Sequence, residues 1–176
     1  MNADEKAQLL TELEAGRREL TRFLSGVTED VARRSPGPGR WSVLECMEHV
    51  ALGEAYMLAQ VEGATFSEAP IVNSAREKAI AERGQDRTTR FEAPDVAKPT
   101  GRFATLKEAA DHFGVSRART MKFVENCSDD LRARLAHHPV IGVVNSYETL
   151  LLMAAHALRH TQQIREILDA VSAPKG

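Results

Sequence analysis

At 176 residues the chain is long enough to bury a full core as a single domain, without disulfides or a structural metal to staple it. A net charge of -2, with acids and bases interspersed, creates no field that would favour nucleic acid or an anionic membrane. Two cysteines make no disulfide framework, no apolar run can span a bilayer, and the acidic start MNADEKAQLL is no signal peptide; a reduced cytoplasm is the expected compartment.

The first helix is expected at about 4–26, where Leu9, Leu13, Leu20, Phe23 and Leu24 recur at helical spacing and Glu12, Arg17, Arg18 and Arg22 lie outside. The adjacent pairs Leu9 with Leu10 and Phe23 with Leu24 widen that stripe. A homodimer would cover the surplus, and a sedimentation mass tests this. The stretch RRSPGPGR (33–40) then stops the helix, because neither its prolines nor its glycines can continue it.

A second helix is expected at 43–63. Ser42 and Glu45 form a capping box at its start, Trp41 is placed to staple onto Cys46 or Met47, and Val43, Met47, Val50, Met57 and Val61 make its apolar stripe. His49 sits beside that stripe on the line Glu45, His49, Leu52, Tyr56, so its face is half-buried. A hydrogen bond to Glu45 is the plain account of it; a ligand role is the other.

Residues 64–104 show weak helical character from Ile71 to Arg83 and are otherwise rich in turn formers. Forty residues far exceed the roughly 2–8 that an antiparallel helix hairpin needs. The segment reads as a crossover that carries the chain along the whole bundle and covers one end of it. The third helix, 105–126, opens with a capping box of Thr105 and Glu108. Its centre, EAADHFGVSRART, also resembles a DNA-binding helix-turn-helix, with Arg117, Arg119 and Lys122 on the would-be recognition helix. Against this, Leu106, Ala110, Phe113, Met121 and Val124 keep helical phase across Gly114, and the net charge is negative. A continuous helix and no nucleic-acid partner are expected. A short extra helix over 128–136 and a loop, HHPVIGVVN, follow.

Asn145 and Glu148 cap a fourth helix at 146–171, which should end before Pro174. From Leu150 to Ala155 it is apolar on every side, the pattern of a helix enclosed by others. His156 and His160 follow at i and i+4, one turn apart on one face, and the stripe Leu150, Met153, Ala157, His160, Ile164 points His160 inward. A buried unpartnered nitrogen costs about 1–3 kcal/mol. Either each ring bonds a carboxylate or carbonyl, or the two share a metal, as paired helical histidines do in zinc proteases.

Four long amphipathic segments, no strand-period run and one long crossover give an all-α four-helix bundle. The segment GRWSVLECMEHVALGE, the loop HHPVIG and the run HALRHTQQI together resemble the DinB-like (YfiT-like) metalloenzyme superfamily, whose signatures are GKWS-x-x-E-x-x-x-H and H-x-x-x-H-x-x-Q-I. That resemblance implies up-down-down-up topology and a divalent metal on His49, His156 and His160. Zinc or nickel suits three imidazoles with an open position, and manganese or iron is also compatible. It further implies a small-molecule substrate and transferase chemistry with a low-molecular-weight thiol, which an open metal position can activate; a metal-dependent hydrolase and a non-catalytic metal-binding protein are the alternatives. A pocket at the open position separates an enzyme from a mere binder.

Several neighbours are candidates for supporting roles. Glu45 either orients His49 or only caps its helix, and Gln163 either reaches the site or is solvated. Glu54 and Tyr56 are candidates for a pocket wall, while Cys46 is a fourth ligand or an inert buried thiol. His137 and His138 are loop residues near the open end, and His112 belongs on the surface.

Overall fold

The structure, a computed structural model, describes residues 1–173, so Pro174 lies outside the described residues. Its helices are α1 (Ala3–Leu24), α2 (Glu29–Ala32), α3 (Val43–Glu62), α4 (Ser74–Gln85), α5 (Leu106–Asn126) and α6 (Ser146–Ser172). The four long ones begin alike. Asn2, Ser42, Thr105 and Asn145 each accept from the N3 backbone N–H, while a glutamate at N3 reaches back to the cap. This satisfies two otherwise orphaned N–H groups at every start.

Two apolar layers fix the directions. One joins Leu20 with the start of α3 (Val43 to Val50), the start of α5 (Leu106 to Phe113) and the late turns of α6 (Ile164, Ile167). The other joins Leu9 and Leu13 with Met57 to Val61, Val124 and Leu150 to Ala154. Hence α1 and α6 run one way and α3 and α5 the other. The bundle is up-down-down-up, as the crossover length requires.

A polar knot lies between the layers. Arg117 of α5 is fully buried and forks onto Glu54 of α3, at 2.7 Å from Nε and 2.8 Å from Nη2. Its Nη1 donates to Leu13 O of α1 (2.7 Å), and Nη2 also donates to Met153 O of α6 (3.0 Å). Thr120 adds a bond to Glu54 at 3.0 Å. All four long helices therefore meet on one guanidinium. This disposes of the helix-turn-helix alternative: α5 runs unbroken through Gly114, Arg117 faces the core and Arg119 pairs with Glu62.

Strands appear where none was expected. β1 (Thr65–Phe66), β2 (Arg134–His138) and β3 (Gly142–Asn145) form a small antiparallel sheet in that order. Leu135 pairs with Asn145 and His138 with Gly142. The presumed loop HHPVIGVVN is thus a hairpin, because Gly142 takes φ 74° at its turn and the β-branched Val143 and Val144 suit a strand. The extra helix expected over 128–136 shrinks to one 3-10 turn, Leu131–Ala133.

The crossover does more than cap one end. Its α4 lies along α6 so closely that a Cβ on Gly84 would sit 2.7 Å from the Ala155 Cβ. Farther on, buried Glu48 accepts the backbone N–H groups of Thr100, Gly101 and Arg102 (2.8, 3.1 and 3.1 Å), which pins the end of the crossover to α3. On α1, Leu10 and Leu24 pack onto the core layers and the Phe23 ring lies under Arg22 and Arg165, so the extra width of that stripe has partners within the chain. No helix among the described residues is long and apolar enough to cross a membrane.

Candidate metal centre

Antiparallel packing sets the second turn of α3 beside the later turns of α6. His49, His156 and His160 meet there, with ring centroids 5.0, 4.6 and 4.4 Å apart pairwise. One potential ligand atom from each lies within 4.8 Å of the others. His49 and His160 are buried and His156 is half-buried.

Hydrogen bonds decide which nitrogens are free. A carbonyl oxygen only accepts, so the 2.8 Å contact from His49 Nδ1 to Ala97 O makes Nδ1 the protonated nitrogen and leaves Nε2 a lone pair. For His160 the logic runs through three residues. Arg87 can only donate, so the Gln163 atom 3.2 Å from its Nη1 is the amide oxygen. That oxygen also lies 2.9 Å from His160 Nδ1 and accepts its proton, freeing His160 Nε2. Glu166 holds Arg87 in turn at 2.8 Å. Such outer partners are what orient ligating histidines.

The donors fit a divalent ion. Imidazoles bound tetrahedrally at about 2.0–2.1 Å place their nitrogens roughly 3.3 Å apart. His49 Nε2 and His156 Nε2 stand 3.1 Å apart. Two lone pairs at that distance repel unless a cation or a proton lies between them. The carbonyl of Ala97 and the amide of Gln163 satisfy one nitrogen each of His49 and His160, Glu45 is spent on its cap and does not bond His49, and the Nε2 atoms remain for a cation.

Electrostatics keep the rings neutral, the form that binds metal. Burial, then the other imidazoles, holds His156 and His160 well below the usual histidine range; burial also lowers His49. Unfolded histidines titrate near 6.5 and bind protons that these folded ones refuse. Stability from this source is therefore complete above about pH 6.5 and lost as pH falls toward the lowered folded values. Metal-free protein should melt at a lower temperature at pH 5.5 than at pH 7.5. A midpoint flat over that interval would mean that the rings protonate in place.

Gly53 makes room for the site. A Cβ there would lie 3.2 Å from His156 Cε1. Gly53→Ala should rotate that ring and weaken metal binding about tenfold or more, while it raises helix propensity by roughly 0.5–1 kcal/mol. Unchanged affinity in a metal titration would show that the ring moves aside freely.

The histidines open into a cavity of about 830 Å³, bounded by α3, α4, α6, the crossover and the β2–β3 turn. Tyr56 and His138 line it, as does Trp41, whose ring is tilted against His49 at 5.0 Å. Glu54 does not line it, being locked to Arg117, and His137 and His112 are exposed. Burial pushes the Cys46 thiol up to about 12, and its sulfur lies 3.7 Å from His160 Nδ1, the nitrogen not offered to a metal. It is an inert thiol. Sequence reasoning missed Ala97, Arg87, Glu48 and Arg159, because the first two act from the irregular crossover and the others lie directly before His49 and His160 without a motif of their own.

Fold and site together define a four-helix bundle of up-down-down-up order with a three-histidine centre between its second and fourth long helices. The DinB superfamily model matches residues 12–164, and the chain belongs to that superfamily. No curated protein matches it. Solved structures with a similar fold include a conserved protein from Enterococcus faecalis (16% identity, TM-score 0.65, covering 97% of this chain and 98% of that one). Another is TT2238, described as a four-helix bundle protein (19%, 0.60, 92% and 98%). A third is YfiT from Bacillus subtilis, described as a probable metal-dependent hydrolase with an unusual four-helix bundle topology (16%, 0.60, 95% and 87%).

Proposed function

We propose that this chain is a divalent-metal-dependent enzyme of the thiol-transferase type, joining a low-molecular-weight thiol to an electrophilic small molecule. One observation carries the reading: three neutral imidazoles face a cavity of about 830 Å³ whose only carboxylate among the described residues, Glu92, is exposed and paired with Lys98. The volume falls within the range of small-molecule sites, roughly 300–1,000 Å³. A mere metal-binding protein has no need of it. His49, His156 and His160 would hold the ion, with Ala97 O and Gln163 fixing the tautomers. When bound, zinc or nickel supplies Lewis acidity that lowers the pKa of a thiol or water at its open position. A thiol so activated needs no further base to become a nucleophile, whereas hydrolysis at such sites commonly draws on a nearby carboxylate. Trp41 and the other apolar walls exclude water around the reacting atoms.

Hydrolysis is the second reading, favoured by the likeness to YfiT and its description. A titration separates the two. Zinc-loaded protein should bind 2-mercaptoethanol with release of a proton, and metal-free protein should not. Loss of thiol in the presence of an electrophile should then depend on the metal. Metal-dependent cleavage of a simple ester with no response to thiol would instead favour the hydrolase.

A further inference from the structure

The cavity carries far more positive than negative charge. Some of its cations are neutralised within the chain: Arg76 pairs with Glu148, Arg87 with Glu166, and Lys98 with Glu92 and Asp95. Arg159 is different. It directly precedes His160 on α6, lines the cavity and is only 7% exposed, yet it has no ion-pair partner among the described residues. Its Nη2 donates to Thr89 O at 2.6 Å and its guanidinium lies 5.3 Å from the Phe91 ring centroid, while Nη1 is buried with no hydrogen-bond partner. A desolvated guanidinium with a free N–H group is costly for a fold to keep in the absence of a counter-charge. No buried acid among the described residues pairs with it.

We propose that Arg159 is the anion-recognition residue of this cavity and that the small molecule bound there is an organic carboxylate. The carboxylate pairs with the Arg159 guanidinium and draws the buried Nη1 hydrogens toward the cavity that this side chain lines, and the apolar remainder of the molecule lies along Trp41, Tyr56, Met57, Ile80 and Leu152, which line the same space. Arg40, Arg83 and Arg90 also line the cavity but are exposed, so among the described residues Arg159 is its buried guanidinium without an ion pair. One buried guanidinium beside apolar walls fits a monoanion with a hydrophobic body. Inorganic phosphate, which wants several donors at once, fits it less well. Arg159 and the three histidines line the same cavity, so the carboxylate is held in the space that the reacting centre faces. The inference deepens the metal-dependent reading by naming the substrate class, and rests on it for the meaning of "reacting centre", but the binding itself needs no metal.

The test therefore uses metal-free wild-type protein at low salt, so that no metal can take the carboxylate. Benzoate, benzamide and inorganic phosphate are titrated while the Arg159 side-chain resonances are followed by NMR. Benzoate should bind at least tenfold more tightly than benzamide, its neutral isostere, and more tightly than phosphate, with the largest shifts at Arg159. Arg159→Met should abolish the preference for benzoate over benzamide without lowering the melting temperature. Arg159→Lys, which keeps the charge and loses the fork, should retain part of it. Equal binding of benzoate and benzamide by the wild type would overturn the proposal whether or not the variants fold. A stronger response to phosphate would overturn the carboxylate assignment. A melting temperature that collapses in Arg159→Met, with the benzoate preference intact in Arg159→Lys and no shift at residue 159, would make Arg159 a structural anchor for Thr89 and also end the proposal. If benzoate binds as expected but the chain takes up no divalent metal, the anion site stands and the metal-dependent reading falls; the converse result sinks only the anion site.

Discussion

Replacing His160 with alanine is expected to take bound zinc or nickel from about one ion per chain to background, a loss of more than about 100-fold in affinity. The loss should exceed the 10–100-fold typical of an outer partner, because a three-ligand site reduced to two no longer encloses the ion. His49→Ala and His156→Ala should do the same, since each supplies one of three converging nitrogens. Gln163→Ala should cost less, about 10–100-fold, by freeing the His160 tautomer that the Arg87–Gln163 chain now fixes. Glu45→Ala provides the contrast. Its carboxylate is spent on Ser42 at the start of α3, so it should cost about 1 kcal/mol of stability and leave metal content alone. Elemental analysis of the purified variants decides the matter. Retention of metal by His160→Ala, or its loss from Glu45→Ala, would move the site elsewhere.

The second large effect is expected at Arg117. Arg117→Met leaves Glu54 charged and buried, and also removes the bonds that the guanidinium adds to the helical carbonyls of Leu13 and Met153. Breaking one side of a buried pair costs about 3–5 kcal/mol. For a chain of this size that corresponds to a drop of about 10 °C in melting temperature. Pairing it with Glu54→Leu removes the stranded charge and should recover much of the loss. Thermal unfolding of the single and double variants measures this. A single variant within about 1 kcal/mol of the parent would mean that water reaches the knot.

Local signals carried much of the fold. The capping boxes at Ser42, Thr105 and Asn145 are short-range chemistry, so they placed three helix starts within a residue or two. By contrast, α1 ends at Leu24, before Gly26 at φ 88° and ahead of the proline–glycine run at 33–40 that was expected to stop it, and the short α2 intervenes. The all-round apolar turn before His156 announced an enclosed helix, and from Leu150 to Ala155 every residue but the half-buried Leu152 is buried. The i, i+4 spacing of His156 and His160 fixed their common face, because that spacing is a property of one helix and needs no partner. The length of the crossover set the direction of α5 relative to α3.

What needed the tertiary structure depends on residues far apart in the chain. The hairpin at 134–145 escaped because its strands are short, and β1, which pairs with its edge, comes from some seventy residues earlier. Arg117 reads from its neighbours as a surface cation; only packing against Glu54, Leu13 and Met153 makes it the centre of the core. The sequence by itself determined which histidines could bind a metal and on which helices they sit. The tertiary structure decided which nitrogen each of two of them offers, through Ala97 and the Arg87–Gln163 chain. It also decided that Arg159, one residue before His160, lines the cavity as a buried cation with no ion-pair partner among the described residues, since burial and charge balance are sums over neighbours that no local pattern records.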